Sequence, residues 1–295
     1  MSSTVRGITV FTPTYNRAHL LPFLYNSLCE QTNKDFEWLI VDDGSSDNTR
    51  DLITTWTSAG LVSIRYIYQC NGGKMRAHNT GVNNTLTELF VCVDSDDYLV
   101  DDAIDRILSV WRQIPPEHRH ELAGIVGYKG KSREETMYGE KFPDIEYSPL
   151  YRLYDEGFRG ETTLVYRTQI LKAHLFPEFE GEKFIPEKYV YRQIDKSYLL
   201  KVLPQVLTIC EYHPDGYTMG GVSTSPRMNP KGYRLFFLQE SLLAGDWIRR
   251  LKFMGGCVAC SFMCKDFSVF AEPRHVFWSI LSLPIALLYM LKYRQ

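Results

Sequence analysis

A chain of 295 residues, 44% hydrophobic and 23% charged with a net charge of −2, holds enough apolar material for one large or two modest domains. Those values exclude a disordered chain and a protein with a basic nucleic-acid face, so no nucleic-acid partner is expected. Seven scattered cysteines, an odd number, argue against a disulfide framework, and residues 1–7 are polar with no apolar signal region, so the catalytic portion is expected in the cytoplasm.

Residues 8–11 form a short apolar run ending at Thr12-Pro13-Thr14 and read as a first strand. Asn16 or its neighbours then start a helix with Leu21, Leu24 and Leu28 on one face. Residues 36–41 read as a second strand, broken by Asp42-Asp43-Gly44-Ser45-Ser46-Asp47; Ser46 or Asp47 can cap the next helix, whose apolar side is Leu52, Ile53 and Trp56. Residues 64–68 give a third strand, Gly72-Gly73 turns into a helix through Ala77 and Val82, and residues 89–93 give a fourth. The helix opening at Asp101 carries Ile104, Ile107, Leu108 and Trp111 as one stripe. Four alternations of strand and helix in about 110 residues are the pattern of a parallel, doubly wound sheet. Neither a dinucleotide glycine fingerprint nor a phosphate-binding Walker loop follows the first strand.

From Pro115 the pattern loosens. Residues 124–128 and 162–166 read as strands, 129–149 as a loop or hairpin, and 186–198 as a helix with Pro186 in its first turn. Residues 202–212 are strand-like but contain Pro204, which predicts an edge or bent strand. Residues 216–230, rich in Gly, Ser, Thr and Pro, predict a mobile loop. A helical pattern covers 233–254. From Arg249 onward there are seven Lys or Arg against two acids, and residues 276–291 hold no charge. Sixteen residues interrupted by Pro284 fall short of the roughly 20 that cross a bilayer. A basic flank with Phe277, Trp278 and Tyr289 predicts an interfacial helix; packing on the core or on a second copy of the chain is the alternative, which leaves homo-oligomerisation open. Cys257, Cys260 and Cys264 share a helical face, but no fourth ligand accompanies them, and packing is the reading preferred to a metal.

The most informative stretch is Val91-Cys92-Val93-Asp94-Ser95-Asp96-Asp97. A buried strand cannot carry carboxylates through a core, so these acids emerge at its end, on the edge where open α/β sheets bind ligands. Closely spaced carboxylates suit a hard divalent cation, and that cation suits a phosphate; taken alone, the same acids are also a polar turn before a helix. Three more strand-end signals fall on the same edge: Thr12-Pro13-Thr14-Tyr15-Asn16-Arg17, Asp42-Asp43-Gly44-Ser45 and the run from Gly72 through Asn79.

In order and spacing these four signals resemble the inverting glycosyltransferases of family 2, over roughly residues 7–215. The resemblance implies an α/β GT-A-like fold: a Rossmann-like, mostly parallel central sheet flanked by helices, in a domain at 1–228, followed by a helical C-terminal extension at 229–295. It places Pro13 and Tyr15 at the nucleotide base, Asn16 and Arg17 at the turn or a phosphate, and Asp43 on the uracil ring N–H. Asp42 supports the loop. Gly73, Lys74 and Asn79 match donor-contacting positions; where the family often has Arg before that Asn, this chain has His78. Asp94, Ser95 and Asp96 match the metal and ribose motif, with Asp96 as direct ligand to Mn2+ or Mg2+ and Asp94 on the ribose or the metal's water shell. The family's base stands at a helix N-terminus after the metal motif. Here Glu187 matches it, following Pro186 where the family often has Glu-Asp, and Glu182 is the runner-up. His213 sits where some relatives bring a histidine to the metal, and Gly220-Gly221-Val222-Ser223-Thr224 is positioned to act as a lid. The implied activity is sugar transfer from a nucleotide donor, UDP-linked by expectation, to a hydroxyl of a polyprenyl-diphosphate-linked oligosaccharide. That places a peripheral enzyme at the cytoplasmic face of the membrane. A non-catalytic nucleotide-sugar binder and a sugar nucleotidyltransferase are the rivals; the second normally needs a glycine- and lysine-rich loop that Thr12 to Arg17 does not supply.

Overall fold

The computed structural model describes residues 6–210 and 224–293. The chain divides into two compact units, Met1–Leu175 with Tyr191–Pro214 and Phe176–Val190 with Asp215–Gln295. The sequence-based boundary at 228/229 runs once along the chain, whereas the second unit also takes in residues 176–190.

In the first unit, β1 (Ile8–Thr14), α1 (Leu21–Glu30), β2 (Phe36–Asp42), α2 (Thr49–Ala59), β3 (Ile64–Tyr68), α3 (Lys74–Asn84) and β4 (Leu89–Cys92) follow the predicted alternation. Next come β5 (Asp97–Leu99), α4 (Ala103–Gln113), β6 (Leu122–Gly130), β7 (Tyr147–Ser148), α5 (Leu150–Asp155), β8 (Thr162–Arg167) and α6 (Thr168–Ala173). After α7 (Lys188–Ile194), within which the boundary between the units falls, β9 (Leu199–Cys210) completes the sheet. Strand order is β3-β2-β1-β4-β8-β6-β9-β5, and β7 also pairs with β9. The four N-terminal strands are parallel. β8 then runs antiparallel to both β4 and β6, β9 runs parallel to β6, and β5 and β7 pair antiparallel with β9. The central sheet is therefore mixed, with its parallel half first. β5 and β7, three and two residues long, are too short to leave a periodic signal in the sequence.

β1 is buried along its whole length and β2 nearly so, as strands covered by helices on both faces must be. Pro13 is tolerated in this central strand because β4 stops pairing at Cys92, opposite Phe11, leaving no ladder bond for Pro13 to make on that side. Trp38 is fully buried beside Tyr25 and Trp56, and its indole N–H donates to Thr12 Oγ1 at 3.0 Å. Pro204 resolves as the bent alternative: β9 lies inside the sheet, and its register against β6 slips between Val202 and Val206.

The second unit contains α8 (Pro230–Leu243), α9 (Trp247–Cys264), α10 (Ser268–Ala271), α11 (Pro273–Leu281) and α12 (Leu283–Lys292). Ala244, Gly245 and Asp246 break the predicted 233–254 helix in two, and the Asp246 carboxylate caps α9 by accepting from Arg249 N at 2.8 Å. Phe237, Met254, Val258, Val269 and Ala286 form its core together with Cys257 and Cys260. Burial pushes the Cys257 thiol up to about 12 and Cys260 higher still, so both pack as small neutral apolar groups.

One buried side chain ties three elements of the first unit. Gln31, 2% exposed, donates to Ser27 O and Val100 O and accepts from Ile104 N at the start of α4. Gln31→Leu keeps the volume but strands Ile104 N and leaves Val100 O only its bond from Ala103 N, so unfolding by denaturant should show a loss of about 1–3 kcal/mol. A loss below about 0.5 kcal/mol would show that water replaces both bonds.

Candidate active site

Parallel pairing brings the C-terminal ends of β1 to β4 to one edge of the first unit. Thr14 lies opposite Asp42, Asp42 opposite Tyr68, and Val93 N still donates to Phe11 O just before the acids emerge. The edge accordingly collects Thr14 to Arg17, Asp42 to Ser45, Gln69 to Lys74 and Asp94 to Asp97.

Each loop is locked to its neighbour. Asn16 adopts a left-handed φ of 53°, which Asn tolerates better than most residues. Its amide donates to Ser45 Oγ and its side-chain oxygen accepts from Ser46 N, both at 2.8 Å. Asp47 accepts from Ala18 N and from Thr49 N at the start of α2. Asp42 is buried and accepts from Ser45 N and the Tyr66 hydroxyl, each at 2.7 Å, which bears out its loop-supporting role. Asp43, also buried, accepts from Gln69 Nε2 at 2.7 Å, Gly72 N at 2.9 Å and Gly73 N at 2.7 Å. Its carboxylate thus shapes the turn into α3. Gly73 can follow only because it has no side chain, its φ being 91°.

Gly73 delivers Lys74 to the first position of α3, and Lys74 Nζ grips the two oxygens of Asp94 at 2.8 and 3.0 Å. Burial alone would raise Asp94; Lys74, then Lys129 and His78, outweigh it and bring the carboxyl down to about 2. Ser95 is buried. Asp96, partly exposed, has the Arg17 guanidinium 3.9 Å away. Asp97 opens β5 and accepts from Lys129 Nζ at 2.6 Å. Burial raises the Asp97 carboxyl although Lys129 opposes it, and Lys129 itself is held well above the ordinary lysine value by Asp97 and Asp94 despite burial. The alternation of charge along this edge is Lys74, Asp94, Lys129, Asp97.

The remaining sequence-predicted residues fall as follows. Tyr15 is about half exposed at the end of β1, available to stack, while Pro13 is buried within the strand. Asn79 is buried on α3. His78 is buried edge-on against Phe11 and Phe90, so it is a packing residue as well as a neighbour of Asp94. Glu187 belongs to the second unit, half-buried just before α7. Glu182, in the same unit, accepts from Lys231 N and Gly232 N at 2.8 and 2.9 Å, capping α8. That employment gives the runner-up base a structural role at the start of α8. His213 and residues 220–223 of the expected lid lie outside the described residues. Sequence reasoning did not single out Lys129, which sits in a stretch read as loop or hairpin, or Thr14, whose buried hydroxyl has no hydrogen-bond partner among the described residues. An unmet hydroxyl at a ligand-binding edge is what a bound group would satisfy.

Among the described residues no three His, Cys, Asp or Glu side chains gather into a metal cage. A divalent ion on a diphosphate needs only one or two carboxylates, since phosphate and water complete its shell. Asp96 fits that requirement: its neighbouring cation stands beyond hydrogen-bond range, whereas Asp94 is already paired with Lys74.

A family model described as Glycosyl transferase family 2 matches residues 9–175. An uncharacterized glycosyltransferase of Nostoc sp. is 37% identical over 172 residues, 58% of this chain and 53% of that protein, so the chain spans about half of that relative. Staphylococcus aureus TarS in complex with UDP-GlcNAc superposes with a TM-score of 0.59 at 22% identity, covering 94% of this chain and 79% of that one. A mannosyltransferase from Pyrobaculum calidifontis in complex with GDP-Man and Mn2+ gives 0.57 at 15% identity, covering 99% and 89%. At these identities the two structures establish a GT-A-like fold.

Two outcomes follow from the charge network. Lys129→Met leaves Asp97 buried without its cation and should cost about 3–5 kcal/mol in denaturant unfolding, most of it recovered by adding Asp97→Leu. An additive double variant would dissolve the pairing. Because the Asp94 carboxyl is depressed, its stabilising contribution is present above the ordinary value of 3.8 and is lost as pH falls toward 2. Lys74→Met should therefore raise the Asp94 carboxyl in an NMR titration and move acid unfolding to higher pH; an unmoved titration would remove Lys74 as the cause.

Proposed function

The chain belongs to glycosyl transferase family 2, and from that premise we propose that it is a glycosyltransferase carrying out metal-dependent, inverting transfer of a sugar from a UDP-linked donor to an acceptor hydroxyl. The observation that carries this reading is the placement of Asp94-Ser95-Asp96 beside Lys74 and Arg17 at the carboxyl edge of the parallel strands. A nucleoside diphosphate brings concentrated negative charge. An edge holding two cations and one carboxylate free enough to take a divalent ion is suited to receive it.

Tyr15 offers an aromatic surface to the base, and Asp43 retains acceptor capacity beyond its three internal donors for a ring N–H. Asp94, fixed by Lys74, accepts ribose hydroxyls or metal-bound water. Asp96 is the direct ligand of Mn2+ or Mg2+, which when bound neutralises charge on the departing nucleoside diphosphate. Lys74 and Arg17 add positive charge at the same edge. Glu187 takes the acceptor proton, while Glu182 holds the start of α8. UDP is preferred because TarS holds a UDP-sugar on a similar fold, although the mannosyltransferase holds GDP-Man. The acceptor proposed is a polyprenyl-diphosphate-linked oligosaccharide in surface-polysaccharide synthesis at the cytoplasmic face of the membrane, which the basic, apolar C-terminal segment supports.

The test is release of nucleoside diphosphate from a panel of nucleotide sugars with Mn2+ or Mg2+. Turnover is expected with a UDP-sugar. Binding without turnover would leave a sensor, and pyrophosphate release would mean a nucleotidyltransferase. Asp96→Ala should abolish the metal-dependent part of donor binding. Glu187→Gln should leave donor binding within about twofold and lower transfer by about 10²-fold or more; full activity would place the base elsewhere.

A further inference from the structure

The two C-terminal helices are built inside out. α11 and α12 are nine and ten residues long and meet at a 65° bend. The side chains fully buried here are His275, Ser279, Ala286 and, at the bend, Ser282, all small or polar, with Trp278, Ile285, Tyr289 and Met290 partly buried against the bundle. The side chains they turn outward are Phe277, Ile280, Leu283, Leu287, Leu288 and Leu291, between 39% and 66% exposed. These recur at three- and four-residue steps, so each helix presents one continuous apolar stripe away from the protein. A helix on a water-soluble surface has the opposite arrangement, with its large apolar residues in and its polar residues out.

Packing beneath the stripe follows the same logic. α12 approaches α9 so closely that a Cβ on Gly255 would lie 2.5 Å from Ile285 Cγ2, and Ser279 Oγ donates to Met254 Sδ at 3.6 Å. Contact through small residues, with hydroxyls bonded within the bundle, is how helices associate where the surrounding medium is itself apolar. The large side chains of the outward stripe are left for that medium.

Charge selects a lipid surface over a protein partner. Residues 276–291 carry no charge, while Arg274 and Lys292 stand exposed at the two ends and Lys252 is exposed on α9; Glu272 is the acid nearest the stripe in sequence. Apolar legs with basic ends match acyl chains beneath anionic headgroups. No helix among the described residues is long and apolar enough to cross a bilayer alone. Each leg is roughly 14 Å long, about half of a hydrocarbon core.

We propose that the outward face of α11 and α12 is a monotopic seat that enters one leaflet of an anionic bilayer as a bent wedge without crossing it. For its purpose the seat rests on the lipid-linked acceptor proposed above, since it would hold the enzyme at the depth where such an acceptor presents its hydroxyl. The experiment is flotation of the full chain with vesicles of phosphatidylglycerol and phosphatidylcholine, beside vesicles of phosphatidylcholine alone. The wild-type protein should float with the mixed vesicles and less with the neutral ones. Leu287→Gln with Leu288→Gln should lower vesicle binding about tenfold or more while leaving the thermal midpoint and donor hydrolysis in solution unchanged. Phe277→Ser on the other leg should act the same way if the double variant folds poorly. A wild-type protein that stays at the bottom of the gradient overturns the seat. So does equal flotation of the variants, or a dimer that the variants convert to monomer with no change in flotation. Vesicle binding without donor hydrolysis would uphold the seat and remove the transferase reading.

Discussion

Everything at the candidate site depends on how one short rim of a buried sheet carries five carboxylates. Asp42, Asp43, Asp94, Asp96 and Asp97 all emerge where parallel strands end, and unpaired acids there would repel one another at a low effective dielectric. The fold answers four of them with different partners. Asp42 takes an amide and a phenol, Asp43 takes two loop amides and a carboxamide, Asp94 takes Lys74, and Asp97 takes Lys129. These answers form a series. Asp43 sets the Gly72-Gly73 turn, the turn starts α3, the start of α3 positions Lys74, and Lys74 orients Asp94. An acid assigned to the nucleotide base is thereby coupled to the acid assigned to the ribose, through backbone rather than through solvent.

The parallel half of the sheet was legible from period and punctuation. Apolar runs of four to seven residues ending in Asp, Gly or Pro mark β1 to β4, and the helices between them show single apolar stripes. β5 and β7 were not legible, because two or three residues carry no period. Nor could the antiparallel turn of the second half be read, since strand direction is set by long-range pairing that local pattern does not encode. Pro204 carried partial information. It demanded an irregularity, and both an edge strand and a bulge satisfy that demand.

The site was legible where chemistry is dense, at Asp42-Asp43, Gly72-Gly73-Lys74 and Asp94-Ser95-Asp96. It was not legible where one residue acts at a distance. Lys129 stands in an irregular stretch, and only tertiary structure brings it against Asp97. Glu182 and Glu187 looked alike as acids near a helix start, and only the fold shows that Glu182 accepts from Lys231 N and Gly232 N at the start of α8. His78 shows the reverse. In sequence it replaces a family arginine and looks like a lost phosphate contact. In the fold it fills space between Phe11 and Phe90, which an arginine head group would not fill in the same way.

The pairing pattern also separates acids that are closed from one that is open. Asp94 with Lys74 and Asp97 with Lys129 are near-neutral units at contact distance, so neither gains much by meeting a further cation. Asp96 faces Arg17 across 3.9 Å, too far for a hydrogen bond, and it is partly exposed. A positive ion approaching this edge therefore meets one carboxylate whose charge is least compensated, flanked by two that are held still. On the function proposed above, Arg17 stands at the end of β1 beside that carboxylate, a guanidinium placed to face a diphosphate at the same edge.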